Sequence, residues 1–268
     1  MSALARELFD AYTSGDRVAV APTAREGGCD LATAYAVEAE LTRMRRAGGR
    51  TTVGRKVGFA NRAAWQAFKI QTVAWANMYD DTVHFSENGR ASPSLARTRA
   101  PRLEPEVVMK LKSVPTSSDA AAVLESVEWL AFGFELIDCP FPDWKFQPAD
   151  LIAFFGFHAG LVVGEPRFVD RNSIPSLVEE LAAFTVRLSK NGELVGEGGG
   201  KNVLESPALC LGELASAIAA QAGAEPLRPG ELVTTGTLTA PPSIAVGERW
   251  DVVASGLDLP PLAIDLRS

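Results

Sequence analysis

Cysteine is scarce in this chain of 268 residues: Cys29, Cys139 and Cys210 are the only three. They are scattered and odd in number, and no Cys-x-x-Cys occurs, so neither a disulfide framework nor a zinc site is indicated. Histidine is scarcer still, with only His84 and His158. No apolar run approaches the ~20 residues of a membrane helix. The opening Met-Ser-Ala-Leu-Ala-Arg-Glu-Leu lacks a signal-peptide core. Positive charge is in deficit, with 26 Lys and Arg against 33 Asp and Glu, a net −7. That balance argues against nucleic acid or an anionic membrane as partners. The expectation is a soluble, cytoplasmic protein.

What the chain does have is a pair of strands carrying acids. Pro101-Arg-Leu-Glu-Pro-Glu-Val-Val-Met-Lys-Leu111 alternates at period two, with Leu103, Val107, Met109 and Leu111 on one face. Glu104 and Glu106 then share the opposite face. Two adjacent carboxylates repel and are costly to bury, so such a strand either faces water or holds a cation. Pro105 between them fits an edge strand. The second stretch, Trp129-Leu-Ala-Phe-Gly-Phe-Glu-Leu-Ile-Asp138, is rich in strand formers and interrupted by Glu135. An acid in such a run needs a partner or a metal. If Glu135 faces Glu104 and Glu106, three carboxylates converge. Hard oxygen ligands of this kind suit Mg²⁺ or Mn²⁺ better than zinc.

Elsewhere the pattern reads as helices first and strands later. Ser2 to Thr13 is amphipathic, and Asp30 caps a helix reaching Ala47, closed by Gly48-Gly49. Thr51 to Phe59 is a short strand with Lys56 between Gly54 and Gly58. Asn61 caps a helix that begins near Arg62. Asn191-Gly192 marks a hairpin, and Pro207 to Gln221 a helix with Leu211, Leu214 and Ile218 on its buried stripe. Gly198-Gly199-Gly200-Lys201 lacks the pattern of a P-loop. No repeat, low-complexity tract or clear linker divides the chain. It is taken as one unit, 1–268, with an N-terminal helical region over 1–70 and a β-rich core over 71–268.

These motifs together carry a resemblance. Gly54-Arg-Lys-Val-Gly58, Asp80-Asp81, the Glu-Pro-Glu strand, Glu-Leu-Ile-Asp138, Ala159-Gly-Leu-Val-Val-Gly164 and the tail Gly230 to Pro241 occur in order over nearly the whole chain. The chain resembles the 2-keto-4-pentenoate hydratase / 4-oxalocrotonate decarboxylase family of the fumarylacetoacetate hydrolase superfamily. The resemblance implies an α+β fold with a mixed, rolled, barrel-like sheet, usually in homo-oligomers. It implies a metal-dependent lyase of aromatic catabolism acting on a 2-keto acid or its 2-hydroxydienoate enol. Glu104, Glu106 and Glu135 would hold Mg²⁺ or Mn²⁺. Lys56 and Asp81, or its neighbour Asp80, would move protons. Gly58 and the hydroxyl of Thr237 would line the substrate.

One departure stands out. The family has Asp-Asn-Ala-Ser where this chain has Phe154-Phe-Gly-Phe157. If this loop lines the pocket, with Phe155 against the substrate, the pocket is dry and suits a bulkier or aromatic molecule. His158 beside it is a candidate proton carrier. Lys201 stands where the family has a small residue and is a candidate for receiving a distal carboxylate. A hydratase is the first reading. A decarboxylase comes next, then a C–C bond hydrolase, then a catalytically silent structural relative.

Overall fold

Strand alternation decides the architecture of the computed structural model, which describes residues 2–268. The strands in chain order are β1 Thr52–Gly58, β2 Ala74–Tyr79, β3 Val83–Phe85, β4 Arg90–Ala91, β5 Pro101–Leu111, β6 Val127–Asp138 and β7 His158–Val163. There follow β8 Arg167–Phe168, β9 Thr185–Lys190, β10 Glu193–Gly199, β11 Leu232–Thr237, β12 Arg249–Ser255 and β13 Leu262–Asp265. An eight-stranded mixed sheet runs β2-β1-β11-β5-β6-β7-β3, with β8 attached to β6. It curls into a half barrel. A second sheet of five strands runs β10-β9-β12-β13-β4.

The two faces of β5 and β6 have different fates. Leu103, Val107, Met109 and Leu111 pack with Phe132, Phe134 and Leu136 in the main core. The helix Pro207–Ala220 covers this face with Leu211, Leu214 and Ile218. Each such fully buried side chain contributes about 1.5–3 kcal/mol. The opposite face carries Glu104, Glu106 and Glu135. Beside them Met78, Val108, Ala131 and Leu161 form an apolar plug.

Helix α1 (Ala3–Ser14) and helix α2 (Leu31–Ala47) cover one side with a smaller core that includes Phe154, Phe155 and Phe157. Ser2 and Asp30 cap them, the latter as the sequence predicts; Asp30 accepts from the Thr33 N–H at 2.8 Å. Asn61 likewise caps Arg62–Phe68.

Two expectations need correction, on Pro105 and on the longest apolar run. Pro105 is not on an edge, because β5 lies between β11 and β6. The proline is tolerated because the β11–β5 register shifts between Thr234 and Thr237, so no ladder bond is asked of its missing N–H. The strand expected at Thr51 to Phe59 is β1, which inserts into the large sheet between β2 and β11. Finally, Gly200–Ala220 spans 21 residues and is apolar enough to cross a membrane by length and composition, with mean hydropathy 1.4. It contains the core helix just described, and 56% of its apolar window is buried inside the protein.

Candidate active site

The acid cluster follows from register. Glu104 of β5 pairs directly with Glu135 of β6, and Glu106 lies opposite Gly133. Period-two alternation then puts all three carboxylates on the same face of the sheet. Glu106 and Glu135 are fully buried, and Glu104 is half-buried. One ligand oxygen from each lies within 4.8 Å of the others. Glu106 is fixed by the backbone: its Oε2 accepts from the Gly236 N–H at 2.6 Å. Gly236 has φ +100°, and a Cβ there would come within 2.4 Å of the Ala60 side chain. Only glycine lets this turn approach so closely.

Lys56 reaches the cluster from β1, with its Nζ 3.4 Å from Glu135 Oε2. On the other side His158 Nδ1 lies 2.8 Å from Glu135 Oε1, and His158 Nε2 lies 3.0 Å from Thr82 Oγ1. Lys56 and His158 are only 2% and 3% exposed, so both contacts are made away from water, and the His158 contact at 2.8 Å is the shorter of the two. Gly156 packs on the Lys56 stem; a Cβ there would stand 2.7 Å from Lys56 Cδ. Phe155, Gly156 and Phe157 have successive φ values of 51°, 63° and 59°, a left-handed turn. Non-glycine residues in this region carry strain of about 1–3 kcal/mol each, a feature of functional sites.

The electrostatics are those of a cation site. Burial pushes the Glu104 carboxyl up to about 7, and Glu135 adds to the push. Burial and the charges of Glu135 and Glu104 hold Glu106 well above the usual carboxylate range. Burial also works against ionisation of Glu135, but Lys56 and His158 outweigh it and hold its pKa low. Burial opposes the Lys56 ammonium, yet Glu135, Glu104 and Glu106 together raise its pKa. Glu106 Oε1 is buried with no partner, and the buried Glu135 Oε2 has only the Lys56 ammonium 3.4 Å away, without a hydrogen bond. Such atoms are rare and call for an explanation. An all-oxygen set with orphaned, inward-facing atoms fits a hard divalent cation.

A cavity of about 780 Å³ opens beside the cluster. Lys56, Glu104, Gly58 and Thr237 line its polar side, and Phe59, Trp144, Phe146 and Phe157 its aromatic side. A separate cavity of about 340 Å³ lies behind His158 and is lined by Thr82, Asp81, Arg45 and Arg99.

No family-level sequence profile matches the chain. It is similar to 2-hydroxyhexa-2,4-dienoate hydratase of Comamonas testosteroni, with 27% identity over 226 residues, 84% of this chain and 82% of that one. It is also similar to a 4-oxalocrotonate decarboxylase of a Pseudomonas species, with 29% identity over 251 residues, 92% of this chain and 91% of that one. The chain is a homologue of the 2-keto-4-pentenoate hydratases and 4-oxalocrotonate decarboxylases. The fold agrees. The crystal structure of 4-oxalocrotonate decarboxylase from Pseudomonas putida G7, complexed with magnesium and adipate, superimposes with a TM-score of 0.86 at 23% identity. The match covers 98% of this chain and 96% of that one. Other neighbours are fumarylacetoacetate hydrolase family proteins.

The expected residues divide into two groups. Lys56, Glu104, Glu106, Glu135, Gly58 and Thr237 come together, although the Thr237 hydroxyl donates to the Thr239 carbonyl at 2.8 Å. His158 meets the cluster from behind, through Glu135. Asp81 lines the rear cavity, where Arg45 and Arg50 hold it, the latter at 3.1 Å. Asp80 is exposed and accepts from the Thr51 N–H at 3.2 Å. Phe155 turns away and packs on Tyr12, with ring centroids 4.3 Å apart; Phe157 takes the cavity wall instead. Lys201 is exposed, outside the cavity lining. Sequence reasoning missed Arg102, Trp144 and Phe146, which do line the cavity. Arg102 was within reach, since it precedes Glu104 by two positions and so shares its face.

Proposed function

We infer that this chain is a divalent-metal-dependent lyase acting on a 2-keto acid or its 2-hydroxydienoate enol, in first place a hydratase of the 2-keto-4-pentenoate type. The observation that carries the reading is the buried cluster Glu104–Glu106–Glu135 with Lys56 3.4 Å from Glu135. Those three acids would hold Mg²⁺ or Mn²⁺, which as a Lewis acid polarises the 2-oxygen of a keto acid. Support comes from the names of the sequence relatives and from neighbours whose crystal structures contain magnesium or Mn²⁺.

Lys56 is the proton carrier in this reading. Its ammonium is protonated at neutral pH and lies at the cavity floor. It gives a proton from Nζ to the terminal dienol carbon and takes one back from the 2-hydroxyl, which leaves the unsaturated ketone to which water adds. Gly236 holds Glu106 in place, and His158 holds Glu135. Asp81 serves this reaction only indirectly, as a clamp on Arg45 and Arg50. The second reading is a decarboxylase. The aromatic wall favours it, because a dry cavity suits departure of CO₂ more than addition of water. A cytoplasmic homo-oligomer completes the proposal, in keeping with metabolic relatives that act on small molecules.

Turnover of 2-hydroxypenta-2,4-dienoate and of 4-oxalocrotonate, each with Mg²⁺ and with chelator, tests this. Metal-dependent loss of dienol absorbance with a hydrated product supports the hydratase, and CO₂ release the decarboxylase. Absence of Mg²⁺ binding in wild type, with no turnover of either compound, overturns both.

A further inference from the structure

The cavity is large and its far end is built. At about 780 Å³ it lies in the upper part of the roughly 300–1,000 Å³ range that takes drug-sized ligands. Its aromatic side is a set of edge-to-face rings. Phe146 and Phe157 have centroids 4.8 Å apart at 79°, and Trp144 and Phe157 6.0 Å apart at 85°. Rings set this way present flat apolar surface to a third ring.

Arg102 stands at the rim of this wall. Its Cζ lies 4.2 Å from the centroid of the Trp144 ring. Its Nε is shielded from solvent and has no partner. Among the described residues its guanidinium makes neither an ion pair nor a hydrogen bond, although it shares the cavity with Glu104. Stacking fixes the plane of a guanidinium and leaves its fork of donors free for a carboxylate. Arg102 and Glu104 share one strand face, about 7 Å apart along the chain by the rise of a β-strand. A ligand anchored at the acid cluster and extending along β5 therefore ends at Arg102.

We propose that the cavity takes a 2-oxo acid whose far end is an aromatic ring bearing an anionic substituent. Trp144, Phe146 and Phe157 form the ring's platform, and Arg102 is the specificity-determining residue. The proposal rests on the metal-dependent reading of the acid cluster and adds the substrate's distal half.

Calorimetry with the Mg²⁺-loaded protein tests it on three probes: pyruvate, benzylidenepyruvate and 4-carboxybenzylidenepyruvate. Benzylidenepyruvate binds more tightly than pyruvate, and the carboxylated compound at least tenfold more tightly again. Arg102→Met reduces that last step to less than threefold, while pyruvate and Mg²⁺ bind within twofold of wild type, which also shows that the variant is folded. If Arg102→Met does not fold, Arg102→Lys takes its place and retains only part of the step, because an ammonium lacks the planar fork. Equal binding of the two aryl compounds by wild type, or an undiminished step in the variant, overturns the proposal. Pyruvate separates the two levels of inference. If its binding does not depend on metal, the reading of the cluster fails. If it depends on metal and the aryl carboxylate adds nothing, only the distal site fails.

Discussion

Replacing Glu104 by Gln should make the metal-free protein more stable and the metal-loaded protein less so. Glu104 faces Glu135 across the β5–β6 ladder, and burial raises its pKa from 4.5 to about 7. The folded state therefore binds more protons than the unfolded state between those values. Stability must fall as pH rises through that window, and the loss is complete above about 7. A rise from 4.5 to about 7, at about 1.36 kcal/mol per pH unit, is about 3 kcal/mol. Glu104 keeps an accessible edge toward the cavity, so solvent screening makes this an upper bound, and about 1–3 kcal/mol is expected. Glutamine keeps the shape and removes the charge. At pH 8.5 with chelator, Glu104→Gln should gain that amount, which for a chain of this length raises Tm by a few degrees up to about 10 °C. At pH 4.5 the gain should vanish. Mg²⁺ at 100 times its Kd stabilises wild type by about 2.7 kcal/mol, and the variant should lose most of that. Calorimetric melts at two pH values, with Mg²⁺ and with chelator, supply every comparison. A metal-free variant less stable than wild type at pH 8.5, or one with an undiminished Mg²⁺ shift, would refute the argument.

Other expectations come from the same geometry. Lys56→Met should lower turnover by about 10²–10⁴-fold, while Mg²⁺ binding holds or tightens because a competing cation has left the cluster; steady-state kinetics and calorimetry separate the two effects. His158→Ala should weaken Mn²⁺ binding by about 10–100-fold through loss of the 2.8 Å contact that orients Glu135, as read by titration calorimetry. Mg²⁺ affinity should rise with pH up to about 7 and then level off as far as Glu104 controls it, because the cation displaces its proton; calorimetry in buffers of different ionisation enthalpy counts the protons released. Gly156→Ala should cost about 1–3 kcal/mol and lower kcat, since the new Cβ meets Lys56 Cδ at 2.7 Å and the position has φ +63°; a thermal melt with a turnover assay checks both.

Local rules were enough for much of this molecule. Alternation at period two put Glu104 and Glu106 on one strand face, and the isolated Glu135 in an apolar strand marked its need for a partner. Asp30 and Asn61 announced their helices through side chains that accept backbone N–H groups. The chain order of these motifs carried the family resemblance. Other outcomes depended on neighbours distant in sequence. Pro105 lies in a central strand only because β11 breaks register beside it at Gly236. Asp81 belongs to Arg45 and Arg50 and not to the metal cluster, because α2 and the turn after it bring those cations to it. The left-handed turn sends Phe155 toward Tyr12 and Phe157 to the cavity, a choice that composition cannot express. Arg102 acquires its meaning only when Trp144, 42 positions later, lies beneath it. A sequence pattern specifies which face a side chain takes on its own strand or helix. What meets that face depends on strand register and loop geometry, and those are settled by packing the whole chain at once.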